Sequence, residues 1–199
     1  MKNRNKIQFM LDQNRQVITS KMLREQKIPS WFLTDMVRKN ELVRLERGIY
    51  STSEGLFDEF QVFQNRYGRC VFSFQTALYL HGLCDETPAG FDVTVYKGYN
   101  ATKIKAPFSI YVHYIQKGLH ELGLTQIESP FGQKVTAYDM ERCICDLLKH
   151  RKTIEPETFA KVLKNYSQSE KRNPQKLREY AKIMKLDKKV EDVIGVLGI

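Results

Sequence analysis

The sequence predicts an α+β protein, with an N-terminal winged helix-turn-helix followed by a mixed α+β unit that has a small, mostly antiparallel sheet and C-terminal helices. Three observations predict this class. Apolar residues recur at helical spacing near both ends, apolar and polar residues alternate in the middle, and basic residues concentrate at the two ends. With 199 residues, 42% of them hydrophobic, the chain can build a packed core as one large domain or two small ones.

Three short helices are predicted in residues 4–39. Their apolar positions are Ile7, Met10 and Leu11 in the first, Met22 and Leu23 in the second, and Leu33, Met36 and Val37 in the third. Hydroxyl residues stand where N-caps belong, at Thr19 and Ser20 before the second helix and at Ser30 before the third. Pro29 separates these two helices, because proline disfavours helical geometry in the residue before it.

A hairpin is predicted next, over residues 42–50, where the pattern alternates and Gly48 interrupts it. Three short helices followed by a basic hairpin is the order of a winged helix-turn-helix. In that arrangement the third helix enters the major groove of DNA and the hairpin reaches phosphates or the minor groove. We therefore expect a DNA-binding domain in residues 1–52 and a second domain in residues 53–199, beginning with a connecting helix.

The second domain is expected to alternate between helices and strands. A helix is predicted over residues 72–83, with Ser73 as its cap and Gly82 as its stop. Strands are predicted at 91–96, at 108–115 with Phe108, Ile110, Val112 and Tyr114 on one face, at 124–127 and at 134–137. Helices are predicted at 138–150, after Pro156, after Pro174 and over 190–197. Short alternating strands imply a compact α+β unit.

The net charge of +9 is unevenly distributed. Residues 1–50 carry 11 Lys and Arg against 5 Asp and Glu, residues 51–150 carry 9 against 11, and residues 151–199 carry 12 against 7. A polyanion should therefore meet the ends of the chain rather than its middle. The first basic block coincides with the predicted DNA-binding domain, whereas no motif accompanies the second.

Eight side chains of the first domain are candidates for DNA contact. They are Lys21 at the start of the second helix, Ser30, Trp31, Thr34, Arg38 and Lys39 in and beside the third helix, and Arg44 and Arg47 in the hairpin. Arg and Lys pair with guanine edges or phosphates, and hydroxyl groups bond phosphates near helix N-termini. Taken singly, each is equally well explained as a solvated surface group, so the prediction depends on the group as a whole.

Metal and cofactor sites are not expected. His81 and Cys84 form one pair and Cys143 and Cys145 another, but the two pairs lack zinc-site spacing, so the cysteines of both pairs and Cys70 are predicted to be buried thiols. No phosphate-binding glycine loop or nucleophile motif is present. No apolar run is long enough for a membrane span and no signal peptide precedes the first helix, so we expect a cytoplasmic protein without a membrane partner.

A cluster of charged residues between the last strand and the C-terminal helices invites an enzymatic interpretation. It consists of Asp139, Glu141, Arg142 and Asp146. Arg142 and Asp146 are four residues apart and can pair on one helix face. A structural ion pair is the favoured interpretation, and no catalytic residue is assigned.

The sequence resembles a known family in two regions. Ile28-Pro29-x-Trp31-Phe32-Leu33 and the segment from Leu42 to Tyr50 resemble the winged helix-turn-helix of AbiE-type antitoxins (the AbiEi family), found in bacterial abortive-infection toxin–antitoxin operons. The segments 77–83, 92–95, 112–113 and 135–148 resemble that family's antitoxin domain.

The resemblance implies a type IV antitoxin of phage defence that is not an enzyme. Its N-terminal domain would bind inverted repeats in its own promoter and repress the operon, as a monomer in solution with two copies per operator. Its C-terminal domain would neutralise a nucleotidyltransferase-like toxin without a stable complex. Two alternatives stay open: a DNA-directed nuclease or nucleotide-modifying enzyme, and a transcription regulator whose second domain senses a ligand.

Overall fold

A computed structural model describes residues 2–198 apart from 15, 53–56, 105, 107 and 108. The chain separates into two units, the first comprising Met1–Arg66 with Glu128–Lys134 and the second Tyr67–Ile127 with Val135–Ile199. The first unit thus runs past residue 52, at which the domain division was predicted, and includes the helix expected to connect the domains. That functional division stays a prediction.

The first unit begins with the three predicted helices and the predicted hairpin, all of which are confirmed. Its elements are α1 Lys2–Gln13, β1 Val17–Thr19, α2 Ser20–Glu25, α3 Trp31–Arg38, β2 Val43–Glu46, β3 Ile49–Ser51 and α4 Glu59–Arg66. The strands form an antiparallel sheet in the order β1-β3-β2, in which Ile18 lies opposite Tyr50. The extended segment before α2 therefore pairs with the hairpin as a third strand.

One apolar core holds this arrangement together. It consists of Ile7, Leu11, Ile18, Leu23, Ile28, Leu33, Met36 and Leu42, all buried. These positions include five of the eight that the helical spacing predicted, since residues three and four apart share a helix face. The other three, Met10, Met22 and Val37, are partly buried and pack against this core. Removing such side chains from water stabilises a fold by roughly 1.5–3 kcal/mol each. The core fixes α2 and α3 relative to the sheet.

Asp58 connects α4 to the segment 128–134 within the first unit. Its buried carboxylate accepts hydrogen bonds from the backbone N–H groups of Phe60 and Gln61 at 3.0 and 3.2 Å, which caps α4. The Ser129 hydroxyl donates to the same carboxylate. The segment 128–134 is thereby held to the start of α4. Phe60 and Phe63 are buried, as expected for the connecting helix.

The second unit combines strands with helices, which confirms the predicted α+β class. Its elements are β4 Val71–Phe72, α5 Phe74–Leu80, β5 Gly90–Tyr96, β6 Ser109–Ile115, α6 Lys117–His120, β7 Leu124–Glu128, β8 Lys134–Tyr138, α7 Met140–Lys149, α8 Pro156–Gln168, α9 Pro174–Met184 and α10 Asp187–Leu197, with 3-10 turns at Ala101–Lys103 and Arg151–Thr153. The helix predicted over 72–83 begins at Phe74, because Val71 and Phe72 form a strand. Phe108, predicted to share one strand face with Ile110, Val112 and Tyr114, lies outside the described residues.

The five-stranded sheet has the order β6-β5-β4-β8-β7 and is mixed rather than mostly antiparallel. The β5 strand pairs with β6 in parallel along seven residues, from Gly90 opposite Ser109 to Tyr96 opposite Ile115. The β4 strand pairs with β5 antiparallel and with β8 in parallel. A parallel pair needs a crossover of about a dozen residues, and the segment between β5 and β6 supplies it. Alternation within a strand gives no information on the direction of its neighbour, which explains the difference.

Buried charges join α7 to the elements around it. The Arg142 side chain, which is 0% exposed, bonds the Asp146 carboxylate at 3.0 Å and the carbonyls of Leu119 and Leu122 at 2.7 Å each. Asp139 caps α7 by accepting from the Arg142 N–H at 2.9 Å. The predicted ion pair between Arg142 and Asp146 is therefore confirmed.

The carboxylates of Glu141 and of the α7 N-cap residue Asp139 accept hydrogen bonds from the C-terminal helical region. Glu141 accepts hydrogen bonds from the Tyr166 hydroxyl of α8 at 3.2 Å and from the Asn173 N–H at 2.9 Å. Asp139 accepts from the Tyr180 hydroxyl of α9 at 3.0 Å. Each acid thus has a structural partner.

The four cysteines are buried, free thiols, as the sequence predicted. Burial raises the pKa of Cys145 to about 12 and that of Cys70 to about 11. A protonated thiol is neither a nucleophile nor a good metal ligand. Within the described residues, no helix is both long enough and apolar enough to cross a membrane.

Candidate nucleic-acid interface

The turn between α2 and α3 sets the angle of the helix-turn-helix. The Thr19 side chain caps α2 by accepting from the Met22 N–H at 3.2 Å. At the other end, the N–H of Lys27 bonds the carbonyl of Arg24 at 3.0 Å and that of Ile28 bonds the carbonyl of Leu23 at 2.8 Å. This is the Schellman pattern of helix ends.

Lys27 occupies the left-handed position of that turn, with φ of 55°. Glycine usually takes this position because a side chain there is strained. Ile28, the next residue, is buried in the core. The turn is therefore held by hydrogen bonds and by an apolar anchor, and it delivers the chain through Pro29 to the start of α3.

The outward face of α3 carries three of the predicted contacts. Trp31, Thr34 and Arg38 are exposed and stand at i, i+3 and i+7, while Leu33 and Met36 face the core. Trp31 is 58% exposed and stacks on Phe32, with ring centroids 4.0 Å apart. This tryptophan is thus supported from behind yet open to solvent.

Ser30 and Lys39 flank α3 and are also exposed. Ser30 occupies the predicted N-cap position, but its side chain makes no capping hydrogen bond, because its backbone is already helical with φ of −66°. A cap needs an extended backbone to fold its side chain over the helix end. The Lys39 ammonium donates to the Asp35 carboxylate at 2.7 Å and lowers the pKa of that acid.

The hairpin presents the two predicted arginines. Arg47 and Gly48 form the turn between β2 and β3, and Gly48 has φ of 81°. Arg47 is exposed at the tip, and Arg44 is exposed on β2 with its Nε donating to the carbonyl of Glu46 at 3.3 Å. The backbone N–H of Ser20 bonds the carbonyl of Gly48 at 2.8 Å. The start of α2 and the hairpin turn are therefore directly connected.

Most acids of this surface are paired with cations. Lys21 lies 3.9 Å from Glu25, Arg4 pairs with Glu41, and Arg66 pairs with Glu46. In contrast, Arg38 and Arg47 form no ion pair with any described residue. Arg38 and Arg47 are therefore available to a polyanion.

Two further cations of the same region were missed by sequence reasoning. Arg24, in the last turn of α2, and Lys27 are both exposed and directly precede α3. The signal that could have identified them is position, since residues flanking the turn of a helix-turn-helix lie close to the third helix in the chain. All eight predicted contact residues are exposed and belong to the first unit, as do Arg24 and Lys27.

The comparisons with known proteins agree with this location. A family model described as "Transcriptional regulator, AbiEi antitoxin" matches residues 5–52, which include all eight predicted contacts. The predicted resemblance to AbiE-type antitoxins is thereby confirmed over residues 5–52. A search of curated proteins found no match.

Proposed function

We propose that this chain is the antitoxin of a type IV abortive-infection system and represses its own operon through the first unit. The observation that carries the proposal is the family match over residues 5–52, a segment whose elements follow the winged helix-turn-helix order. In this proposal α3 enters the major groove, which is about 12 Å wide, and the β2–β3 hairpin is the wing. The operator is an inverted repeat occupied by two copies of a protein that is monomeric in solution.

The contacts divide by chemistry. Arg38 lies on the same helix face as Thr34 and Trp31 and reads base edges or phosphates. Arg44 and Arg47 bind phosphates from the wing, and Lys21, Ser30 and Lys39 bind phosphates beside α2 and α3. Arg24 and Lys27 extend this positive surface.

The remainder of the chain, residues 53–199 in the predicted division, neutralises a nucleotidyltransferase-like toxin in the cytoplasm without a stable complex. We further propose that the protein is not an enzyme. The engagement of Asp139, Glu141 and Asp146 in hydrogen bonds within the second unit supports this, because acids used for structure are poorly placed for catalysis.

The test is promoter binding by a triple variant, Arg38→Gln, Arg44→Gln and Arg47→Gln, measured by fluorescence anisotropy over a range of salt concentrations. The slope of log K against log salt should fall by about 0.9 for each lost phosphate contact. A matched control removes the same charge from exposed lysines of the second unit, by Lys97→Gln, Lys103→Gln and Lys117→Gln. Equal loss of promoter affinity in the two triple variants would contradict the assignment of Arg38, Arg44 and Arg47 to the DNA-contact surface.

Co-expression with the toxin gene tests the division of labour. The triple variant should lose operon repression yet restore growth as well as the wild-type chain. A folded triple variant that binds no promoter and also fails to restore growth would overturn the assignment of separate roles.

A further inference from the structure

A cavity of about 280 Å³ in the second unit has no part in the proposed DNA contact. Its wall combines residues from α5, β6 and α7, among them Phe74, His113, Arg142, Lys149 and His150. These residues are far apart in sequence, and the fold brings them together. Arg142 and Lys149 belong to one helix, α7, and His150 directly follows it.

Asp146, the acid that lines this cavity, already has a cationic partner, since Arg142 bonds it at 3.0 Å. His113, also in the wall, bonds Asp92, which is outside the lining, at 2.7 Å. Lys149 forms no ion pair with a described residue. The wall therefore has a surplus of positive charge once its internal pairs are counted.

Hydrogen-bonding groups are also left over. The Nη2 of Arg142 is a buried donor and lacks a hydrogen-bond partner among the described residues. The Nδ1 of His150 lies 3.0 Å from the Asp146 carbonyl, which can only accept, so Nδ1 carries the proton and Nε2 of the neutral ring is an acceptor, which suits the hydroxyl of a protonated phosphate. Native proteins seldom leave buried donors unpaired, and a ligand is one explanation for such a group.

A second cavity, of about 440 Å³, provides a contrast. It shares Phe74 with the first, but it is lined by the carboxylates of Glu86, Asp92 and Glu155. An anion would be repelled there and attracted to the cavity beside Lys149. The charge difference therefore favours an anion in the cavity beside Lys149 and disfavours an anion in the second cavity.

Phe74 stands between these cavities in an unusual conformation. Its φ is 45°, in the left-handed region that a bulky aromatic residue rarely adopts. Its ring lies 4.0 Å from the His113 ring and 5.1 Å from the His150 ring, centroid to centroid. Strained residues of this kind cluster at ligand sites, where surrounding contacts hold them.

We propose that the cavity beside Lys149 and His150 binds the phosphate group of a small phosphorylated molecule or free phosphate. A phosphate offers negative charge and acceptor oxygens for the Lys149 ammonium and the Arg142 Nη2 and, when protonated, a hydroxyl that can donate to the His150 Nε2. The site is separate from the DNA contacts, so it does not depend on the proposed function.

Calorimetric titration of the full chain, without DNA, tests the site with three probes: inorganic phosphate, 5′-AMP and adenosine. Phosphate, 5′-AMP or both should bind saturably, and adenosine should not. Binding of 5′-AMP alone would identify a phosphoester as the source of the phosphate, and binding of phosphate alone would identify the free ion. Absence of saturable binding of both at about 10 mM would overturn the proposal, as would equal binding of adenosine.

Substitutions locate the binding. Lys149→Gln and His150→Gln should each weaken the probe by about tenfold, as expected for one lost charge-assisted hydrogen bond. Lys152→Gln removes the same charge from a nearby exposed residue outside the cavity wall and should change affinity less than twofold. Equal affinity in Lys149→Gln, His150→Gln and wild type would place the binding elsewhere and refute the site.

Discussion

Replacing Arg142 with methionine should destabilise the second unit severely. The substitution leaves the Asp146 carboxylate, only 4% exposed, without its partner at 3.0 Å. It also removes the donor to the carbonyls of Leu119 and Leu122, each at 2.7 Å. Breaking one side of a buried ion pair costs about 3–5 kcal/mol. Since whole proteins are stable by only about 5–15 kcal/mol, urea unfolding followed by circular dichroism should reveal a large loss.

The matched control is Arg178→Met. Arg178 bonds Glu191 at the same distance, 3.0 Å, but the two side chains are 42% and 57% exposed. Water already solvates both charges, so this substitution should cost less than about 1 kcal/mol. Similar losses in the two variants would refute the argument that burial determines the cost.

The pH dependence gives a second test of Arg142→Met. Burial raises the pKa of the Asp146 carboxyl above its usual range, although the Arg142 guanidinium opposes the shift. An acid with a raised folded-state pKa takes up a proton on folding, so its penalty is present at high pH and relieved as the pH falls through that pKa. Without Arg142 the pKa should rise further. The deficit of the variant should therefore shrink between pH 7 and pH 5, and a constant deficit would contradict this reasoning.

Two further predictions concern buried thiols and a close backbone approach. Burial raises the pKa of Cys145 to about 12 and of Cys70 to about 11. A disulfide reagent at pH 8 should therefore label the thiols of the native protein slowly and should label all 4 cysteines after denaturation. Rapid labelling of the native protein would contradict the burial of these thiols. Gly123→Ala should lower the melting temperature more than Gly98→Ala: both have positive φ, but only at Gly123 would a Cβ lie 2.6 Å from the Arg142 Cβ. Equal decreases in the melting temperature of the two variants would show that the positive φ alone, and not the contact with Arg142, determines the cost of the substitution.

Much of the helical structure could be predicted because helical spacing is local. Ile7 and Leu11 of α1, and Leu33 of α3, are buried as their spacing indicated. Pro156 and Pro174 begin α8 and α9, as expected from the fixed φ of proline. These features depend on residues within one or two turns of each other.

Sheet direction and backbone strain could not be predicted in this way. Gly90 explains part of the parallel pairing: a Cβ there would lie 2.4 Å from the Ser109 carbonyl oxygen on the neighbouring strand. That neighbour is distant in sequence, so nothing local indicates it. Lys27 and Phe74 take left-handed conformations at which sequence patterns would expect glycine. Tertiary contacts hold these two residues in the left-handed conformation, and a lysine or a phenylalanine in the sequence does not indicate that conformation.

The DNA-contact surface and the cavity differ in predictability for the same reason. The candidate contacts occupy one short helix-turn-helix and its hairpin, so their order along the chain already groups them. The cavity takes His113 from β6, Lys149 from the end of α7 and His150 from the position after it, and the fold brings these residues together. A site assembled from separate elements becomes visible only in three dimensions.

The position of Lys149 at the C-terminal end of α7 admits a purely structural explanation, since a cation there interacts favourably with the helix dipole by about 0.3–1 kcal/mol. The two explanations make separable predictions for Lys149→Gln. A dipole effect alone would lower the melting temperature equally with and without phosphate. Ligand binding would instead remove the stabilisation that added phosphate gives to the wild-type chain, because a ligand stabilises only the state that binds it. Melting temperatures measured across a phosphate titration, with Lys152→Gln beside it, therefore distinguish a helix cap from a binding residue.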